Sequence, residues 1–145
     1  MKYLYILIIC ICCAFTSFSQ SRGSDVPSLV MKGYKTNFPE ATKTQWERKG
    51  HIYQAEFEVS KIEYKAHFDE TGRLIVFKKA IPVSDLPSPV LRTIRKQYKG
   101  FKIGNVEKIQ RDGKYLYQVE LDGNPNDEKL IFTPDGKIAS QETYW

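Results

Sequence analysis

The 145-residue chain repeats itself, and that repeat limits its folds more than any other feature. Asp25-Val-Pro-Ser-Leu-Val30 returns sixty residues later as Asp85-Leu-Pro-Ser-Pro-Val90, and at the same offset Tyr34 meets Ile94 and Phe38 meets Tyr98. Tyr53-Gln-Ala-Glu-Phe57 returns as Tyr117-Gln-Val-Glu-Leu121, and Phe68-Asp-Glu-Thr-Gly72 as Phe132-Thr-Pro-Asp-Gly136, both at an offset of 64. Three matches in the same order predict two copies of one supersecondary unit, about residues 25–80 and 85–145. The four extra residues fall between the helix and the second strand of the second copy, where a loop absorbs them.

Each copy opens on a helical pattern. Val26, Val30, Tyr34 and Phe38 are spaced by four, as are Leu86, Val90, Ile94 and Tyr98, which places each set on one helix face. Asp25 and Asp85 are expected as N-caps, with Pro27 and Pro87 in the first turn and Pro39 and Gly100 ending the helices. Strands follow. Tyr53, Ala55, Phe57 and Val59 alternate with Gln54, Glu56 and Glu58; Ile62, Tyr64, Ala66 and Phe68 alternate with Lys61, Glu63, Lys65 and His67. Period two means antiparallel strands with one face inward. Gly72 turns the chain into a strand over 73–79, and the second copy repeats the scheme through Tyr115, Tyr117, Val119 and Leu121, then Leu130 and Phe132, to about Tyr144. A further strand is expected before each hairpin, near 44–48 and 103–110, with turns at Gly50 and Asp112-Gly113. Two amphipathic helices and two one-sided meanders hide their apolar faces only by packing helix on sheet. The expected class is therefore α+β: an antiparallel sheet of about eight strands with both helices on one face and the other face open.

The first residues carry the pattern of export. Lys2 is followed by an uncharged apolar run over residues 4–15, then by Ser17 and Ser19 at the minus-three and minus-one positions of a cut before Gln20. The run is shorter than the about 20 residues a membrane-spanning helix needs. A signal peptide over 1–19 and one domain over 20–145 are expected, in the periplasm or secreted, with no transmembrane segment after cleavage. Cys10, Cys12 and Cys13 all lie in the leader, so the remaining 126 residues contain no disulfide, thiolate nucleophile or cysteine metal site. Its 21 basic and 17 acidic residues are interleaved rather than clustered, which argues against nucleic acid as a partner.

The Asp-x-Pro-Ser-x-Val helix start, the Phe38-Pro39-x-Ala41 helix end, Trp46-Glu47, the Tyr-x-Ala/Val-x-Phe/Leu strand and the Phe-x-x-x-Gly turn resemble the PepSY-like domains. These are small exported proteins of Bacteroidetes-type bacteria, likened in fold to the β-lactamase inhibitor protein. The resemblance spans nearly all of residues 25–145 and implies the α+β fold, with inhibition or binding as the function by analogy. The second copy departs from the pattern at Phe101, Val106 and the inserted Asn124-Pro125-Asn126.

Candidate chemistry is sparse. His51 and His67 are the two histidines, one at a turn and one on a polar strand face, and no Gly-rich phosphate loop, His-Glu-x-x-His or serine elbow occurs; no enzyme is expected. Asp122, Asn124, Asn126, Asp127 and Glu128 place oxygen ligands in one loop, so a calcium-responsive module is the alternative reading. An EF-hand loop would need glycine and glutamate where Asp127 and Thr133 stand, and the same residue types build ordinary hairpin loops. No other cofactor is expected. With Ser60-Lys61 as a two-residue turn, Glu58 lies opposite Glu63, an unfavourable like-charge pair relieved by Lys61 and solvent or by a partner's cation. The same register sets Glu56 against Lys65 and Gln54 against His67. The leading expectation is a monomeric, non-enzymatic binding protein that presents Gln54, Glu56, Glu58, Glu63 and Lys65 to an envelope protein or peptide. Trp46 and Trp145 are candidate aromatic anchors of that contact, with cover of a helix end as the alternative for Trp46.

Overall fold

The computed structural model describes residues 25–140. The leader and its cysteines, Tyr144 and Trp145 lie outside the described residues. Helix α1 (Ser28–Asn37) precedes strands β1 (Thr42–Lys49), β2 (Ile52–Val59), β3 (Ile62–Asp69) and β4 (Leu74–Ala80). A 3-10 turn at Val83–Asp85 leads to α2 (Ser88–Gln97), then β5 (Lys102–Arg111), β6 (Lys114–Asp122), β7 (Glu128–Phe132) and β8 (Ile138–Ser140). The eight strands pair in sequence order into one sheet, each antiparallel to its neighbour. This is the α+β class anticipated above, with helix and four-strand meander occurring twice.

The two helices bury separate cores. Val30 and Tyr34 of α1 pack with Trp46, Tyr53, Ala55, Phe57, Ala66 and Phe68. Val90 and Ile94 of α2 pack with Val106, Tyr117, Val119, Leu121, Leu130 and Phe132. Tyr53, Phe57, Phe68, Tyr117, Leu121 and Phe132 are buried as the period-two pattern predicts, whereas Ile62 (40 % exposed) and Tyr115 (43 % exposed), beside the hairpin turns, lie open to solvent. Each unit's first strand carries an irregularity near its start, between Thr42 and Gln45 in β1 and between Ile103 and Val106 in β5. Such bulges bend a strand and increase its local twist.

The expected caps are corrected. Pro27 and Pro87 are themselves the N-cap residues, and neither helix has a side-chain cap hydrogen bond. A carboxylate accepts the orphan N–H groups only from the cap position, whereas Asp85 lies two residues earlier, in the 3-10 turn. The helices are instead seated by backbone proximity. A Cβ on Gly33 would stand 1.9 Å from the Gly72 carbonyl oxygen, so α1 rests directly on the β3–β4 turn. In the second unit Thr93 occupies the equivalent place, and its hydroxyl donates to the Gly136 carbonyl at 2.8 Å.

Candidate functional site

Paired residues on adjacent strands share a face, so the register defines what the helix-free side presents. One row across it runs Glu47, Gln54, His67, Val76, Arg111 and Lys114; the next runs Gln45, Glu56, Lys65, Lys78, Ile109 and Leu116. Of the residues foreseen for a contact surface, Glu56, Glu58, Glu63 and Lys65 come together. With Lys43, Gln45 and Glu107 they line a depression of about 290 Å³.

Its geometry follows from the β2–β3 hairpin. Ser60 and Lys61 both take positive φ, 52° and 66°, as a two-residue primed turn requires, and Glu58 does oppose Glu63. The relief comes from a residue the sequence reading overlooked. The Lys43 ammonium, carried on the β1 bulge at φ 53°, meets the Glu58 carboxylate at 2.9 Å. Lys65 meets Glu56 at 2.7 Å. Among the described residues Glu63 makes no ion pair, so Lys43 compensates one carboxylate of the opposed pair and leaves the other without a cation.

Gln54 is not a contact residue. It is 1 % exposed, because Glu47, Lys49, Glu56 and His67 close over it. Its carbonyl accepts from the Lys49 ammonium (3.1 Å) and His67 Nε2 (3.0 Å). Its amide donates to Glu56 (2.9 Å) and Glu47 (3.3 Å). Gln54 therefore orients Glu56 from beneath. Burial, followed by the charges of Lys49, Lys65, Arg111 and Lys78, lowers the His67 pKa to about 4. At neutral pH the ring is uncharged and carries on Nε2 the proton donated to Gln54.

The equivalent glutamine of the second unit, Gln118, is also 1 % exposed. Its amide donates to Glu107 at 2.6 Å, while its own carbonyl has no hydrogen-bond partner among the described residues. Glu107 also receives Lys78 at 2.8 Å. The Lys78 side chain is 6 % exposed, and burial lowers its pKa against the opposing pull of Glu107. Val76, Ile109 and Ile131 are buried on this same face. The middle of this face therefore mixes buried apolar side chains with Gln118 and the Lys78–Glu107 pair, while Glu56 and Glu63 on β2 and β3 stay exposed.

Trp46 is corrected as well. It is buried on the helix side, its ring centroid 5.1 Å from Tyr34 and 6.1 Å from Phe68. Its cross-strand row continues through Ala55 and Ala66, whose small side chains leave room for an indole beneath α1. Trp145 lies outside the described residues. In the 122–128 loop, the Asp127 carboxylate accepts the Gly123 N–H at 3.0 Å, and the Asn124–Pro125 peptide is cis. Among the described residues no three His, Cys, Asp or Glu side chains are grouped to hold a metal ion. His51 is exposed beside Glu70, at 3.1 Å.

A doubled helix-on-meander unit with one helix-free face defines a class of small α+β domains. The chain belongs to the family described as "Putative beta-lactamase-inhibitor-like, PepSY-like", whose model matches residues 18–76 and again 63–140. Among solved structures it is similar to a DUF2874 family protein of Bacteroides uniformis (23 % identity, TM-score 0.72), covering 81 % of this chain and 92 % of that one. It is similar also to a BLIP-like protein of Bacteroides fragilis (19 %, TM-score 0.70), covering 82 % and 92 %. A third, from Bacteroides eggerthii and described among "putative periplasmic proteins", has 18 % identity and TM-score 0.72 over 79 % and 86 %. No curated protein sequence matches the chain. No helix among the described residues is long and apolar enough to cross a membrane.

Proposed function

We propose that the protein is an exported, non-enzymatic binding protein, inhibitor-like in the manner of its family. On this reading the helix-free sheet face contacts a protein or peptide, and the depression at Glu56, Glu58 and Glu63 receives a basic side chain of that partner. The observation that carries it is the uncompensated Glu63 carboxylate opposite Glu58, held beside a Glu56 that Gln54 fixes from below. An incoming ammonium or guanidinium would pair with Glu63, the carboxylate that Lys43 leaves without a cation, which gives the face a preference for cations. Membership of the family supports binding over chemistry, and the similarity to the Bacteroides eggerthii chain supports the envelope as the place.

Affinity capture from envelope extract tests the reading. The wild type should retain partners that Glu56→Ala/Glu58→Ala/Lys65→Ala loses; an unchanged set of partners removes this face from consideration. N-terminal sequencing of the protein from its host should begin at Gln20 if the leader is cleaved where the serines suggest.

A further inference from the structure

The helix side of the sheet has its own opening. Where the chain passes from the first unit to the second, β4 lies against β5, and a cleft of about 420 Å³ opens beside the end of α1. Phe38, Tyr64 and Phe77 come from the first unit, and Lys108 and Tyr115 from the second, so both units build it. Tyr64 and Phe77 lie nearly parallel, 21° apart with centroids at 6.3 Å, as an aromatic wall.

Two cations stand in this cleft. Lys79 and Lys108 are direct cross-strand partners on the helix side, half-buried, and neither makes an ion pair among the described residues. Like charges placed opposite each other destabilise a sheet. They are held apart on aromatic faces, Lys79 with its ammonium 6.0 Å from the Tyr64 ring and Lys108 with its ammonium 4.1 Å from the Tyr115 ring. Among the described residues the exposed Glu40 is the one carboxylate in the lining. An apolar floor beneath two uncompensated ammonium groups complements an anion with a flat apolar body, and the volume falls within the range of small-molecule sites.

We propose that this cleft binds a small aryl carboxylate, with the ring against Phe38, Tyr64 and Phe77 and the carboxylate between Lys79 and Lys108. The site lies on the side opposite the proposed partner face and stands independently of it.

The test is a titration of the ¹⁵N-labelled protein with phenylacetate and with neutral phenylacetamide, followed by backbone amide shifts. Phenylacetate should saturably shift amides of β4, β5 and the end of α1. Losing the charge, either in phenylacetamide or in Lys79→Gln or Lys108→Gln, should weaken binding about tenfold or more, the scale of one charge-assisted hydrogen bond. Equal binding of the amide, shifts confined to the helix-free face, or no saturable shift at tens of millimolar ligand overturns the proposal. The urea midpoint of Lys79→Gln should equal or exceed that of wild type, because the substitution removes a like-charge pair. A lowered midpoint would instead make Lys79 a structural residue and overturn its assignment to ligand binding.

Discussion

Replacing Gly33 by alanine sets two effects against each other. Inside a helix, alanine is favoured over glycine by up to about 1 kcal/mol, so from sequence alone the change should stabilise α1. The structure puts the new Cβ 1.9 Å from the Gly72 carbonyl oxygen and 2.8 Å from its carbonyl carbon. Ordinary contact begins near 3.4 Å, so α1 must lift by about 1.5 Å. The obstacle cannot rotate aside, because it is backbone in a turn tied by Gly72 N–H to Asp69 O and by the Thr71 and Arg73 N–H groups to the Asp69 carboxylate. Lifting α1 loosens Val30 and Tyr34, both buried beneath it. Overpacking of this kind costs about 1–3 kcal/mol, and an immovable backbone obstacle puts the gross cost at or above the upper end. After subtracting the helix gain, a net loss of about 2 kcal/mol is expected, equivalent to roughly 8 °C in Tm for a domain of this size. Thermal and urea unfolding followed by circular dichroism measure it. Gly50→Ala is the control: its φ is 62° with nothing within 4 Å, so only the left-handed backbone cost of about 1–2 kcal/mol applies. A Gly33→Ala protein that melts at or above the wild-type temperature refutes the close seating of α1.

Three other outcomes follow from the described geometry. Trp46→Ala should destabilise by about 3–5 kcal/mol, as a large core truncation does, measurable as a fall in urea midpoint; a surface anchor would lose far less. Glu107→Gln should cost about 1–2 kcal/mol because Lys78 keeps its charge in a buried place while losing a carboxylate; an unchanged midpoint would show that the pair is unimportant. His67 has a folded pKa near 4, below its unfolded value. The unfolded chain therefore takes up the proton first, and stability is lost as pH falls from about 6.5 to about 4. Discounted for water on its open side, the loss should be about 1–2 kcal/mol. It should appear as a larger drop in midpoint between pH 7 and pH 4.5 for wild type than for His67→Gln, and equal drops would contradict it.

The parts of this fold that sequence makes legible are those governed by periodicity. Spacing by four placed Val30, Tyr34, Val90 and Ile94 under the helices, and alternation by two placed Phe57, Phe68, Tyr117 and Leu121 inward. Period two assigns a side, but it says nothing of what covers a residue on that side. Gln54 and Glu56 share a face, yet Gln54 is enclosed by four neighbours drawn from β1, β2 and β3 while Glu56 is exposed. Lys78 is hidden for the same reason: alternation gives it the side of Val76, and only the pairing of β4 with β5 brings Glu107 near it. Lys43 reaches Glu58 through a bulge, which shifts the parity that sequence assumes. Trp46 could have been placed from its cross-strand alanines, had the β1–β2 register been known. The cleft at Lys79 and Lys108 depends on the contact between the two units, which no pattern within one unit encodes.

The division of the interior has a consequence for how the molecule comes apart. Each helix shelters its own cluster, and the hydrogen-bonded seam of β4 with β5 is the ladder that joins them. Amide exchange should therefore show two subglobal openings rather than one, with seam amides exchanging along with whichever half yields first. A lesion such as Gly33→Ala would then release the first half while the second stays protected, leaving an exposed strand edge at β5 that another molecule's edge could join.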